Sequence, residues 1–217
     1  MVGTFAWYSR AVDPTMATTM SSIASRQSKG TENLEKEVKQ FLDYCATHPN
    51  AGVRFVASNM MLALQSDASY LSEPESKSRA AGHFFLGKQN NESFNNGEIM
   101  TLSKIIKYVM SSASESETAA IFYNCKPALP MRIYLEEMVH EQPKTSVTTD
   151  NTTACGLVKK IMIPKHAKSY NMRFNFLKCR EVQNQFDLIC RKGTLNRADY
   201  HSKRHPTHHY IKKEVST

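Results

Sequence analysis

The spacing of apolar residues changes period once along this chain, and that change limits the folds open to it. From residue 53 to residue 110 apolar residues fall in short extended runs divided by turn signals. Val53-Arg54-Phe55-Val56-Ala57 is a brief run. Residues 60–65 read as a strand that ends in the polar turn Ser66-Asp67-Ala68-Ser69-Tyr70. Residues 78–86 give a second strand, closed by Gly87, and residues 98–110 a third. The polar loop between them ends in Asn96-Gly97, a strong hairpin pair.

From Ser112 the spacing becomes helical. Ser112 or Ser114 can cap a helix over residues 112–123, with Glu115 and Glu117 in its first turn, where the helix dipole favours acids. Pro127 and Pro130 are expected to interrupt it, leaving a second helical piece over residues 131–138. A short strand at 147–149 ends at Asp150, and helices follow at 152–160 and 167–182. Residues 186–191 form a last strand, Gly193 turns the chain, and residues 195–203 form a short last helix. Hairpin-joined strands followed by βα units give an α/β fold. Its mixed sheet is antiparallel in the first three strands and flanked by helices.

Residues 4–48 read as two helices broken at Gly30. Thr31 or Glu32 starts the second, whose apolar face carries Leu34, Val38, Phe41, Leu42 and Cys45. Two helices of this size cannot bury both faces alone, so they must pack on something that follows them or on a partner outside the chain. The chain of 217 residues thus divides into a helical segment at 1–52, a domain at 53–204 and a basic, His-rich tail at 205–217.

Charge is concentrated at one end. Residues 151–217 hold fourteen Lys and Arg against four Asp and Glu, while the whole chain carries +8. A basic third beside a neutral body points to a polyanionic partner. The five cysteines include no Cys-x-x-Cys pair, so free thiols, buried or partly buried, are expected; Cys155 and Cys179 lie among apolar residues. No segment has the length or character of a membrane span or secretory signal, so an intracellular protein with no membrane partner is expected. His201, His205, His208 and His209 cluster near the end, but zinc needs ligands held rigidly, and the tail reads as a loose basic extension.

Four acids sit where chemistry is usually built. Asp67 ends the first strand, Glu117 lies one turn into a helix, Asp150 marks a strand-to-helix step, and Asp199 lies in the last helix. Asp67 and Asp150 on adjacent strands can share one edge of the sheet. Carboxylates gathered in one place repel one another unless cations join them, and divalent ions favour such oxygen ligands.

The local sequence around these acids resembles a known family. Ser66-Asp67-Ala68-Ser69 is similar to the Ser-Asp-Ala-Asp that opens the ribonuclease H domain of copia-type retrotransposon reverse transcriptases. Arg79-Ala80-Ala81-Gly82-His83-Phe84-Phe85 resembles that family's Arg-Ser-x-x-Gly-x-x-Phe strand. Ser112-Ala113-Ser114-Glu115-Ser116-Glu117 resembles its Ser-(Ser/Thr)-Thr-Glu-Ala-Glu helix start, and Asp150-Asn151-Thr152-Thr153-Ala154 its Asp-Asn-x-(Ser/Ala)-Ala step. Lys168 and Arg173 match a Lys-His-Ile-Asp-Ile-Arg helix, and Asn196-Arg197-Ala198-Asp199-Tyr200-His201-Ser202-Lys203 the closing Asp-x-x-Ala-Asp-Ile-x-Thr-Lys. Before them, residues 2–8 and 38–44 resemble the helical connection between polymerase and ribonuclease H.

The resemblance implies a ribonuclease H-like fold that cuts the RNA strand of an RNA–DNA hybrid during reverse transcription. Asp67, Glu117, Asp150 and Asp199 would be its catalytic carboxylates, holding two Mg2+ ions with Mn2+ as a substitute. Glu117 is preferred over Glu115 because it matches the second acid of the family's Glu-Ala-Glu, and residues two apart on a helix cannot both face the site. Arg79, Lys104, Asn151, Lys168 and Arg173 would contact the hybrid, and a polymerase module of the same element would be a partner. The chain departs from the pattern at Ser169, Asn171, Asn175, Asn196 and Thr101, and it holds no Tyr-x-Asp-Asp polymerase motif. The rival expectation is a truncated remnant that keeps the fold and nucleic-acid binding without turnover.

Overall fold

The computed structural model describes residues 2–88, 96–158 and 168–203, with backbone alone at 157, 158, 168–171 and 195. Five strands form one sheet: β1 (Met61–Glu73), β2 (Lys77–Gly87), β3 (Glu98–Ile105), β4 (Thr145–Thr149) and β5 (Phe186–Cys190). Their order is β3-β2-β1-β4-β5. β1 and β2 run antiparallel, as do β2 and β3, while β1, β4 and β5 run parallel. This is the mixed sheet expected from the change of period. It places β1 at the centre with β4 beside it, so residues near their ends share an edge.

Polar residues do not end β1 as the sequence reading expected. The strand continues through Asp67, which pairs with Ala81, to Glu73. Its polar side chains find partners, which keeps them in the ladder. The Asn124 amide donates to Ser66 Oγ at 2.9 Å, and Gln65 Oε1 accepts from the Arg197 backbone at 2.6 Å. A Pro74–Ser76 turn, with Glu75 and Ser76 at positive φ, returns the chain into β2.

Asn96-Gly97 is not the tip of a hairpin. No described glycine has positive φ, which the expected turn type requires. Asn96 is buried, and its amide pairs with both the N–H and the C=O of Val56, each at 2.8 Å. It thus stands in for a strand neighbour, and residues 51–60 form no regular element. A side chain at Gly97 would meet the Arg54 carbonyl at 2.5 Å, so close backbone approach explains the glycine. β3 ends at Ile105, five residues before the expected limit.

The helices also differ from the reading. α1 (Val2–Ala11) and α2 (Ala17–Arg26) are separate, because Asp13 Oδ1 accepts from the Thr15 backbone and Pro14 starts a new turn. α3 (Glu32–Thr47) begins at Thr31, whose hydroxyl accepts from Leu34 N at 3.2 Å. α4 (Ala113–Glu137) runs unbroken through Pro127 and Pro130. Packing overrides their lost hydrogen bonds, since Ile121, Cys125, Ala128 and Leu135 all lie in the core. α5 (Thr152–Val158) and α6 (Lys168–Val182) follow, and α7 (Asp199–Ser202) is shorter than expected after a turn at Gly193–Leu195.

Alternation along β1 divides the two faces. Leu62 and Leu64 join Phe84, Val147, Leu188 and α4 residues in the main core. Gln65 and Asp67 point the other way, toward the chain before and within α7. α1–α3 close their own small core of Met16, Met20, Ile23, Leu34 and Phe41. They are joined to the sheet by Thr18, whose hydroxyl donates to the His201 carbonyl at 2.9 Å, an oxygen that also accepts from Ser103. Cys155 is buried as expected, but Cys179 is exposed. Among the described residues no helix is long and apolar enough to cross a membrane.

Candidate active site

Three elements deliver three carboxylates to one place. Asp67 comes from β1, Glu117 from the first turns of α4, and Asp150 from the residue after β4. One carboxylate oxygen from each lies within 4.8 Å of the others. Parallel pairing of β1 with β4 brings the first and third together, and α4 crosses the sheet to add the second. Gly193 lies directly against Asp150, so a side chain there would meet Asp150 Oδ2 at 2.6 Å.

Capping decides which glutamate reaches the site. Ser112 Oγ accepts from the Glu115 backbone at 3.1 Å, and Glu115 Oε2 accepts from the Ser111 backbone at 2.8 Å. Glu115 is therefore spent at the exposed helix start. Glu117, two residues on, turns inward and is 8% exposed.

The cluster is electrostatically unfavourable without a cation. Burial pushes the Asp67 carboxyl up to about 6; the Ser202 hydroxyl opposes this, while the charges of Asp199 and Asp150 add to it. Burial pushes Glu117 up to about 9, helped by Asp67 and Asp150 and opposed by a hydrogen bond from the Ala68 backbone. Asp67 Oδ2 and Glu117 Oε2 are buried with no hydrogen-bond partner. Oxygen-only donors, mutual repulsion and orphaned oxygens together fit a hard divalent cation.

Asp199 stands beside this group rather than inside it. Its carboxylate pairs with Lys203 at 2.9 Å on the same helical turn, though its charge reaches Asp67. Lys203 feels Asp67 and Asp150 as well, which with Asp199 raises its pKa. The sequence reading gave Lys203 no role, although its position four residues after Asp199 is a legible ion-pair signal. Asn196, where an acid was expected, donates to the Ser66 carbonyl at 2.9 Å and ties the last loop to β1.

The basic residues named as hybrid contacts separate. Arg79 is wholly buried, bonded to Glu73 at 2.7 Å and to Ser103 at 3.0 Å, so it is a structural ion pair and does not offer a surface charge. Lys104 is exposed, with its ammonium 4.9 Å from the Tyr123 ring centre. Arg173 is half-buried against Met110. Asn151 uses its side-chain oxygen to accept from Ala154 N at 2.9 Å, capping α5. The Lys168 side chain lies outside the described residues, as does the tail with His205, His208 and His209.

No protein-family profile and no curated protein matches the chain. Solved structures do. LC11-RNase H1, isolated from compost by a metagenomic approach, is 12% identical and aligns over 72% of this chain and 99% of its own, with a TM-score of 0.48. The N-terminal RNase H domain of a Mycobacterium tuberculosis protein is 8% identical over 73% of this chain and 99% of its own, with a TM-score of 0.46. Prototype foamy virus protease-reverse transcriptase is 15% identical over 61% of this chain and 17% of its own, with a TM-score of 0.37. The neighbours are RNase H domains or proteins that carry the name reverse transcriptase. None of these three reaches a TM-score of 0.5, and the roles proposed below rest on this chain's own residues.

Proposed function

We propose that this chain is a metal-dependent ribonuclease H that cuts the RNA strand of an RNA–DNA hybrid, as the catalytic region of a copia-type retrotransposon reverse transcriptase. The observation that carries this reading is the convergence of Asp67, Glu117 and Asp150, with two buried oxygens left unpartnered. The ordered sequence resemblance through the same residues supports it.

Asp67, Glu117 and Asp150 would hold two Mg2+ ions, or Mn2+ in their place, and Asp199 would complete the set. Such ions supply an acidified water and charge to steady the leaving oxygen of a phosphodiester. The chain's own part is to hold the ligands in place. Gly193 and the β4 end fix Asp150, and Ser202 and the Ala68 backbone fix Asp67 and Glu117. Glu117, pushed up to about 9, would give up its proton to a bound cation, whereas Asp67, pushed up to about 6, is largely ionised near neutral pH already. Lys104 and Arg173 offer positive charge for hybrid phosphates, and Lys168 and the basic tail extend it in this reading. Residues 1–52 serve as the connection to a polymerase module, seated on the face opposite α4, with 53–204 as the nuclease domain.

The test is cleavage of a labelled RNA–DNA hybrid beside duplex RNA, duplex DNA and single-stranded RNA. The proposal expects Mg2+-dependent cutting of RNA in the hybrid alone. Tight hybrid binding without cutting would instead favour the remnant that keeps the fold and loses turnover.

A further inference from the structure

A second cluster lies apart from the three carboxylates and plays no part in the proposed reaction. His83 comes from β2, Glu98 is the first residue of β3, and His201 lies in α7. One donor atom from each lies within 4.8 Å of the others. His83 Nδ1 hydrogen-bonds Glu98 Oε2, and His201 Nε2 stands 3.5 Å from the same oxygen. The imidazoles are stacked, with ring centres 6.4 Å apart. Both histidines are almost wholly buried, and each has a second ring nitrogen with no hydrogen-bond partner. The atoms that meet Glu98 are the other two, His83 Nδ1 and His201 Nε2, and these are the ones that face the cluster.

We propose that His83, Glu98 and His201 form a site for a borderline divalent metal, Zn2+ by its chemistry, distinct from the oxygen-only carboxylate site. Two imidazoles and one carboxylate are a Zn2+ donor set that leaves a fourth position open. Mg2+ prefers oxygen ligands throughout, so the two clusters sort metals by donor type. Ligands around one tetrahedral zinc lie about 3.4 Å apart, close to the 3.5 Å between His201 Nε2 and Glu98 Oε2. Burial favours the neutral form of His83, the form that binds metal. His83 and Glu98 also line a cleft of about 510 Å³ with Asp13, Asn96 and Arg197.

The three ligands belong to three elements, so the ion would staple α7 to β2 and β3. α7 begins with Asp199 and carries Ser202, which bonds Asp67. The zinc site would thus set the position of that helix beside the carboxylates without touching the reacting phosphate.

The experiment titrates the metal-stripped full chain with Co2+ and follows its visible absorption, then displaces it with Zn2+. The site predicts strong four-coordinate Co2+ bands at one ion per chain, unchanged by excess Mg2+ and retained in Asp150→Asn. The bands are lost in His83→Gln and in Glu98→Gln. Zn2+ affinity in either variant falls at least about 100-fold, the upper end of what losing even a partner one step removed from a metal costs. Circular dichroism reports whether each variant is folded. Absence of the bands in the unsubstituted chain overturns the site, as does unchanged Zn2+ affinity in folded Glu98→Gln. Loss of cleavage in Asp150→Asn with the bands intact separates this site from the carboxylate reading.

Discussion

Asp67 and Glu117 share one buried cluster, and each keeps a carboxylate oxygen that no donor reaches. Burial and the neighbouring acids raise both carboxyls, to about 6 and about 9. Folding therefore takes up protons at this site between the ordinary and the raised values.

That gives a definite pH dependence. Both groups have folded pKa values above their ordinary values of 3.8 and 4.5, so the native state binds more protons than the unfolded one. Stability from this source is complete below the ordinary values and falls as pH rises, through about 6 for Asp67 and toward about 9 for Glu117. Thermal denaturation of the metal-free chain should show a melting temperature that declines from pH 5 to pH 9. Added Mg2+ should raise it more at pH 9 than at pH 5. A Mg2+ effect independent of pH would contradict this account.

Glu117→Gln should separate stability from activity. The amide removes a buried acid that resists ionisation, so the metal-free variant should melt no lower than the parent at pH 8. Mg2+ should no longer stabilise it as strongly, and hybrid cleavage should fall by about 100-fold or more, the scale of losing one charge-stabilising group. Matched melting curves and cleavage rates check both halves.

Gly193→Ala tests how Asp150 is held. The added carbon would lie 2.6 Å from Asp150 Oδ2, so the carboxylate must move. Weaker Mg2+ binding is expected by calorimetry, with little change in the unfolding midpoint of the metal-free protein. An unchanged Mg2+ affinity would show that Asp150 is not a ligand in its present place.

Arg79 and Lys104 should respond in opposite ways. Arg79→Ala leaves Glu73 largely buried and unpaired, which should cost about 3–5 kcal/mol in denaturant unfolding. Lys104→Ala should change stability by less than about 0.5 kcal/mol. It should weaken hybrid binding and lower the salt dependence by about one contact. Equal effects on stability would undo the distinction between the buried pair and the surface charge.

Much of the fold could be read from spacing. Strand signals before Ser112 and βα units after it showed a mixed sheet with its first three strands antiparallel, while the order of the strands came only with the fold; of the helix starts the sequence offered, the caps are Thr31 and Ser112. The misses have physical causes. Pro127 and Pro130 sit in a helix because Ile121, Cys125 and Leu135 anchor it on both sides. Asp67 stays in β1 because Gln65 and Ser66 find partners far along the chain. Asn96 looked like a turn residue because its pairing with Val56 is a tertiary contact that local sequence does not encode. The same holds for the site. Strand and helix ends suggested Asp67 and Asp150, and the family resemblance favoured Glu117 over Glu115. His83, Glu98 and His201 carry no common spacing, so only the folded chain brings them together.

In the proposed function, Asp67, Glu117 and Asp150 form a metal-dependent nuclease centre. The most direct measurement is the rate of cleavage of an end-labelled RNA–DNA hybrid by the parent chain and by Asp150→Asn, each with Mg2+ and with chelator. The account predicts RNA-strand products from the parent with Mg2+ alone, and none from a folded Asp150→Asn. Equal cutting by the two proteins, or cutting that survives the chelator, would contradict it.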